Sequence, residues 1–113
     1  MSWSEDIRAH YPDWGTEAAL ARWPEVRERL RIGRHVRGSV IARAPFGVWL
    51  DINADYPALL LVPEMRGAKE RRITFEDYPA IGEVVEARII ALGEIALGQR
   101  AEIGLTQHSQ AEP

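Results

Sequence analysis

Residues 33–52, GRHVRGSVIARAPFGVWLDI, contain two short runs in which apolar and polar side chains alternate, separated by Ala44-Pro45. Alternation of this kind predicts β-strands at residues 35–44 and 46–52, joined by a tight turn. In the first strand the two faces are predicted to separate inward residues from outward ones: Val36, Gly38, Val40 and Ala42 inward, and Arg37, Ser39, Ile41 and Arg43 outward.

Three further runs with strand character follow, at residues 59–62, 84–92 and 100–106. Their inward positions are predicted to be Val85, Ala87, Ile89 and Ala91 in the fourth strand and Ala101, Ile103 and Leu105 in the fifth. Turn-forming residues 53–57 predict a hairpin, and residues 64–82 predict a long loop with one helical turn near 75–78. Five strands with this long excursion favour a closed OB-type barrel over an open sheet with exposed edges.

The chain before the barrel has helical rather than strand periodicity. Residues 1–32 form a predicted helical lead-in, with Thr16 as an N-cap and Pro24 opening a separate short helix over residues 24–31. Trp3, Trp14 and Trp23 fall in this segment and are expected to bury flat apolar surface against the domain. The predicted organisation is therefore a lead-in at 1–32, a barrel domain at 33–108 and a polar tail at 109–113.

Length and composition fit one globular domain. The chain has 113 residues, of which 46% are hydrophobic and 27% charged, and it has no cysteine. The N-terminus has no secretory pattern and no stretch is long enough to span a bilayer, so we expect a cytoplasmic protein. A net charge of −3 argues against nucleic-acid binding by bulk charge alone, although residues 22–43 are locally rich in arginine.

Several short segments are similar to the characteristic words of one known family, and they occur in the same order. Residues 32–40, 46–51, 59–65 and 81–89 resemble the patterns G-x-x-V-x-G-x-V, F-G-x-F-V, G-L-V-H-I-S-E-M and V-G-D-x-V-x-V-x-V of the S1 RNA-binding domain family. Residues 103–106 stand at its closing I-S-L-S. The resemblance covers about residues 24–108 and implies a mainly β fold, a five-stranded S1-like OB-type barrel, here with an N-terminal helical extension.

The resemblance also implies where RNA would bind, because the family binds single-stranded RNA on its second and third strands. Its two aromatic positions fall on Phe46 and Trp49, its histidine on Leu61, its aspartate on Gly93 and its arginine on Glu102. Stacking is therefore expected to survive, whereas the last three contacts are lost. Strict alternation places the two rings on opposite faces, so both line one surface only if the chain bulges near Gly47. The alternative is a core Phe46 with only Trp49 exposed.

Basic residues near these rings are candidates for phosphate contacts. They are Arg37 and Arg43 on the first strand and Arg66, Lys69, Arg71 and Arg72 in the long loop. Acidic residues share that loop, namely Glu64, Glu70, Glu76 and Asp77, so an ordinary solvated surface is the competing interpretation.

The sequence favours a binding module without catalysis. His10, His35 and His108 lack metal-ligand spacing and no cysteine can act as a nucleophile, so we expect no enzymatic activity, metal, cofactor or small-molecule substrate. The favoured partner is single-stranded RNA, bound weakly and with little sequence preference. The alternative is a protein partner, with the chain acting as an inhibitor, an immunity-type protein or a ribonucleoprotein subunit, and with Trp49 and Leu61 as apolar anchors.

Overall fold

The structure, a computed structural model, describes residues 2–93 and 101–108. Two helices precede five strands: α1 (Trp3–His10), α2 (Glu17–Glu28), β1 (His35–Ala44), β2 (Gly47–Asp51), β3 (Pro57–Leu61), β4 (Val84–Leu92) and β5 (Ile103–Thr106). Short 3-10 turns occur at Val62–Glu64 and Phe75–Asp77, the second of them where a helical turn was predicted. Within the described residues, no helix combines the length and apolar character needed to cross a membrane.

The strands close into one barrel in the order β1-β2-β3-β5-β4, in which β3 and β5 run parallel and the other pairs are antiparallel. Closure gives each of the five described strands a hydrogen-bonded neighbour on both sides. The interior is filled by apolar side chains from all five strands, among them Val40, Val48, Leu50, Leu60, Ile89, Ile103 and Leu105. The predicted five-stranded OB-type barrel is confirmed.

A bulge in β1 exchanges its two faces partway along the strand. The register with β2 shifts between Val40 and Ala42, after which Ala42 pairs with Trp49 and Arg43 pairs with Val48. Cross-strand partners point to the same face of a sheet, and Val48 is part of the barrel interior whereas Trp49 is not. The predictions of an inward Ala42 and an outward Arg43 are therefore wrong, because alternation does not continue through a bulge.

A similar irregularity affects β4. Val85, Ala87 and Ile89 are buried as predicted, but the register with β5 shifts between Ile89 and Ala91, and Ala91 is exposed. In the closing segment Ala101, Ile103 and Leu105 are buried as predicted. The alternating pattern thus identifies the inward residues of a strand correctly up to the position at which its register shifts.

Helix α2 belongs to the barrel core. Thr16 caps it, accepting a hydrogen bond from the Ala19 amide, as predicted. The predicted separate helix at Pro24 is wrong, because α2 continues through that proline. Ala19, Trp23 and Val26 fall on one face of the helix and are buried in the barrel core, and this packing offsets the loss of the backbone hydrogen bond at proline.

Close approach of β2 and β3 at Gly47 gives a stability prediction. A Cβ at this position would lie 2.3 Å from the Leu60 carbonyl oxygen and 2.9 Å from the Leu61 Cα. We expect Gly47→Ala to lower the free energy of unfolding by an amount at the upper end of about 1–3 kcal/mol, measured by urea denaturation. The control is Gly82→Ala, which has open space and a left-handed φ of 90° and should cost about 1 kcal/mol. Equal losses in the two variants would contradict this account.

Candidate nucleic-acid interface

Strands β1, β2 and β3 carry a second apolar surface on the outside of the barrel, which we call the outer face. Its members are Ile41, Ala42, Trp49 and Leu59, and Trp49 pairs with both Ala42 and Leu59 in the sheet. This is the side on which the S1 resemblance places RNA. Its apolar character comes from the β1 bulge, which brings Ile41 and Ala42 to the same side as Trp49.

Helix α1 covers the outer face. Ile7 is fully buried against it, Trp3 stacks on Trp49 with ring centroids 6.2 Å apart and planes inclined by 14°, and Trp14 meets Trp49 edge-on at 5.8 Å. Trp49 is consequently only 3% exposed, and the prediction that it is exposed for stacking is wrong in this arrangement. Burying a side chain such as Ile7 contributes about 1.5–3 kcal/mol, so the contact is substantial.

Polar contacts fix the end of α1 to the barrel. The Tyr11 hydroxyl donates a 2.8 Å hydrogen bond to Asp51 Oδ1, and His10 Nε2 lies 3.1 Å from Asp51 Oδ2. Burial raises the pKa of Asp51, but hydrogen bonds from the Asn53 amide, Tyr11 and His10 outweigh it and hold that pKa below its usual value. The pKa of Tyr11 is raised, by burial first and then by its bond to the carboxylate.

The N-terminus of α1 is capped by its own residues. The Ser2 side chain accepts from the Glu5 amide while the Glu5 carboxylate accepts from the Ser2 amide, which forms a capping box. A helix of eight residues is nevertheless too short to be stable in isolation. Its formation therefore depends on packing against the outer face.

The indole N–H of Trp49 is a polar group that this packing leaves unsatisfied. Nε1 is buried and has no hydrogen-bond partner within residues 2–93 and 101–108. An unsatisfied buried donor costs about 1–3 kcal/mol. Helix α1 thus provides apolar contact and ring stacking to Trp49 but no hydrogen-bond acceptor for its indole N–H.

Phe46 and Leu61 lie beside the covered ring and are accessible. Their exposed fractions are 38% and 41%, and the Phe46 carbonyl accepts a 2.9 Å hydrogen bond from the Val62 amide. Trp3 contacts Phe46 edge-on at 5.2 Å as well as stacking on Trp49, so both predicted rings lie on one side of the barrel. The expected bulge near Gly47 is wrong. Phe46 precedes β2, so strand alternation does not govern it, and it is not a core residue.

Arg43 lies at the end of the barrel that carries the β1–β2 turn. Its guanidinium lies over the Phe75 ring at 4.3 Å and donates a 2.6 Å hydrogen bond to the Phe75 carbonyl oxygen, with the Tyr78 ring 5.6 Å away. The Tyr78 hydroxyl in turn donates to the Pro45 carbonyl oxygen at 2.9 Å. Arg43 therefore anchors the Phe75 segment to the turn, which leaves it poorly placed to contact phosphate.

The other predicted cations divide into paired and free side chains. Arg37 pairs with Glu86 at 3.6 Å and Arg71 with Asp77 at 3.3 Å. Arg66, Lys69 and Arg72 are exposed, and their side chains make no ion pair or hydrogen bond to any described residue. These three lie in the loop of residues 65–74, which begins four residues after Leu61 and ends immediately before Phe75.

Phe75 is a residue that sequence reasoning did not identify as part of the interface. Its ring is 49% exposed, and its backbone is held at the turn that carries Phe46 through the Arg43 and Tyr78 contacts. The available signal was an aromatic residue among the charged and polar residues of the long loop. We call Phe46, Leu61 and Phe75 together with the free cations Arg66, Lys69 and Arg72 the exposed rim.

Two positions of the family pattern lie at the base of the β4–β5 loop. The Gly93 amide donates a 2.7 Å hydrogen bond to the Glu102 carbonyl oxygen, so the two residues are adjacent across the hairpin. Glycine offers no side chain there, and a glutamate carboxylate would repel phosphate, so the loss of these two family contacts stays a prediction. The described residues include no group of three or more His, Cys, Asp and Glu side chains that could hold a metal ion.

The solved structures similar to this chain include three of similar coverage and TM-score. They are an uncharacterized protein from Methanocaldococcus jannaschii (TM-score 0.53, 16% identity), GSP13 from Bacillus subtilis (TM-score 0.52, 15% identity) and a chain of the a/eIF2alpha-aDim2p-rRNA complex from Pyrococcus horikoshii (TM-score 0.53, 20% identity). The similarity covers 73%, 74% and 68% of this chain and 97%, 65% and 44% of those chains, respectively. No family model and no curated protein matches the sequence.

At this level of identity, the likenesses show the fold. Together with the strand order they establish an S1-like OB-fold, as the sequence resemblance predicted. What this barrel binds is a separate question, because unrelated functions share one fold.

The Asp51 contacts predict a pH dependence of stability. A carboxyl whose pKa is lowered by folding stabilises the protein above its unfolded pKa of about 3.9, and this contribution is lost as the pH falls through the lower folded pKa. We expect Asp51→Asn to lower the free energy of unfolding by about 1–2 kcal/mol at pH 7, measured by urea denaturation. The difference from the unmodified protein should shrink toward pH 3. Glu76→Gln is the control, and a difference that grows on acidification would refute the assignment.

Proposed function

We propose that the protein is a binding module for single-stranded RNA, which it holds weakly and with little sequence preference through the exposed rim. The observation that carries the proposal is the presence of two exposed phenylalanine residues, Phe46 and Phe75, and of three exposed, unpaired cations in the loop that leads from β3 to Phe75. Phe46 and Phe75 offer π-faces on which any base can stack, and stacking contributes about 1–3 kcal/mol per base.

The free cations supply the contacts to the RNA backbone. Arg66, Lys69 and Arg72 would neutralise about three phosphates, for which the logarithm of affinity should fall with the logarithm of salt concentration with a slope of about −2. Acidic side chains in the same loop and the net charge of −3 oppose tight binding. Leu61 offers apolar contact but no hydrogen bond to a base edge. These features support weak, largely sequence-independent binding.

The similar structures support the same proposal, since one of them is a complex that contains rRNA. The expectation that this chain has no enzymatic activity and no small-molecule substrate stays a prediction. Cytoplasmic location also stays a prediction.

Protein binding is the second candidate function, and the apolar side chains of the exposed rim favour it. Phe46, Leu61 and Phe75 with charged neighbours of both signs have the composition of a small protein interface. RNA binding is preferred because the three free cations would gain little at an interface with a typical protein surface, whereas each finds a phosphate along an RNA strand.

Fluorescence anisotropy with a short labelled single-stranded RNA at low and physiological salt tests the proposed function. Phe75→Ala removes one stacking ring and should weaken binding about tenfold, and Arg72→Ala should weaken it less and flatten the salt dependence. Matched controls are Ile32→Ala and Arg31→Ala, which alter exposed residues at the opposite end of β1 and should bind as the unmodified protein does. Phe75 is preferred to Phe46 because Phe46 also contacts helix α1.

Absence of binding at low salt would overturn the RNA proposal. Recovery of a stoichiometric protein partner that survives nuclease treatment, with loss of that partner in Phe75→Ala, would replace RNA with the second candidate. Equal losses of RNA affinity in Phe75→Ala and Ile32→Ala would remove the exposed rim as the binding surface. Thermal unfolding of each variant verifies that the barrel is intact.

A further inference from the structure

The contact between α1 and the outer face has the form of a ligand bound to the barrel. The Trp3 ring lies nearly parallel to that of Trp49 in an offset arrangement, with centroids 6.2 Å apart, and so occupies the side from which a nucleobase would approach the Trp49 ring. Trp3 also meets Phe46 edge-on, so it occupies the space between the covered ring and the exposed rim. The outer face and the exposed rim therefore form one continuous surface that α1 interrupts.

With α1 docked, one polar group of the outer face has no hydrogen-bond partner among the described residues. Trp49 Nε1 is buried and has no acceptor among the described residues while α1 is docked. A nucleotide next to the stacked base carries ring-nitrogen, carbonyl and phosphate acceptors, and one that lies in the plane of the indole can satisfy such a donor. Trp3 has an indole that can donate but cannot accept, so it reproduces the stacking part of the interaction alone.

The barrel does not depend on α1 for its interior. The principal core contains residues of α2 and all five strands and none of α1, whereas Ile7 belongs to the separate cluster on the outer face. The segment between the helices contains Pro12 and Gly15, the latter at a left-handed φ of 86°. Because an isolated helix of eight residues is unstable, undocking would also unfold it.

We infer that α1 is a displaceable cover that competes with single-stranded RNA for the outer face. Displacement removes Trp3 from the face of Trp49, which becomes an additional stacking ring beside Phe46 while Trp14 meets it edge-on. This inference rests on the proposed function and names the regulation of the same site. The apparent affinity for RNA is then the affinity of the open form reduced by the fraction of molecules in which α1 is undocked.

The test loosens α1 in the full chain and measures RNA affinity. Ile7→Asp places a charge on the buried side of the helix, and Ala9→Asp places the same charge on its exposed side, so both variants repel RNA equally in bulk. We expect Ile7→Asp to bind RNA about fivefold or more tightly than Ala9→Asp. Adding Trp49→Ala to Ile7→Asp should abolish that gain. Hydrogen exchange should show loss of protection in α1 and retention in β4.

The outcomes separate this inference from the proposed function. Equal RNA affinities of Ile7→Asp and Ala9→Asp, with hydrogen-exchange protection of α1 lost in the former, would overturn the inference that α1 competes with RNA. The proposal that RNA binds the exposed rim would still stand. Absence of RNA binding in every variant would instead overturn the proposed function on which the cover rests. If Ile7→Asp unfolds the barrel, Tyr11→Phe, which removes one hydrogen bond to Asp51, replaces it with the same expected direction. Full α1 protection in both variants would identify the helix as a fixed part of the fold and contradict the inference.

Discussion

Stacking of Trp3 on Trp49 holds α1 on the outer face and keeps that face out of contact with solvent. The contact is supported by complete burial of Ile7, by edge-on packing of Trp14 and by the Tyr11 hydrogen bond to Asp51. Each of these contributions is of the order of 1–3 kcal/mol, and so is the stacking of one base on an aromatic side chain. The free energy of docking α1 on the outer face is therefore comparable with the free energy of binding a few nucleotides there. Single-stranded RNA can for this reason compete with α1.

The β1 bulge shapes both parts of the interface. The register shift between Val40 and Ala42 places apolar side chains of β1 beside Trp49 on the outer face. The same shift turns Arg43 toward the end of the barrel. There the guanidinium holds the Phe75 segment against the turn that carries Phe46. One irregularity thus builds the surface that α1 covers and also orients the arginine that holds the Phe75 segment.

Sequence reasoning predicted the barrel because each strand shows a clear period and the characteristic words occur in order. It failed at Ala42, Arg43 and Ala91, since a bulge changes the facing of a residue without leaving a trace in the pattern. It identified Phe46 and Trp49 but not the helix above Trp49. The tryptophans at positions 3 and 14 were correctly expected to bury apolar surface, yet alternation and propensity describe single elements, and the face a helix covers is fixed by tertiary packing.

The most direct test of this account is the NMR signal of the Trp49 indole N–H while single-stranded RNA is added to the isotope-labelled protein. Trp23 provides an internal reference, because its indole donates a 2.7 Å hydrogen bond to the Gly93 carbonyl oxygen and its ring belongs to the barrel core rather than to the cluster that contains Ile7 and Trp49. We predict that RNA shifts the Trp49 signal and those of the α1 amides while the Trp23 signal stays in place. RNA binding that shifts the amides of the exposed rim but leaves the Trp49 indole and α1 unchanged would contradict the account.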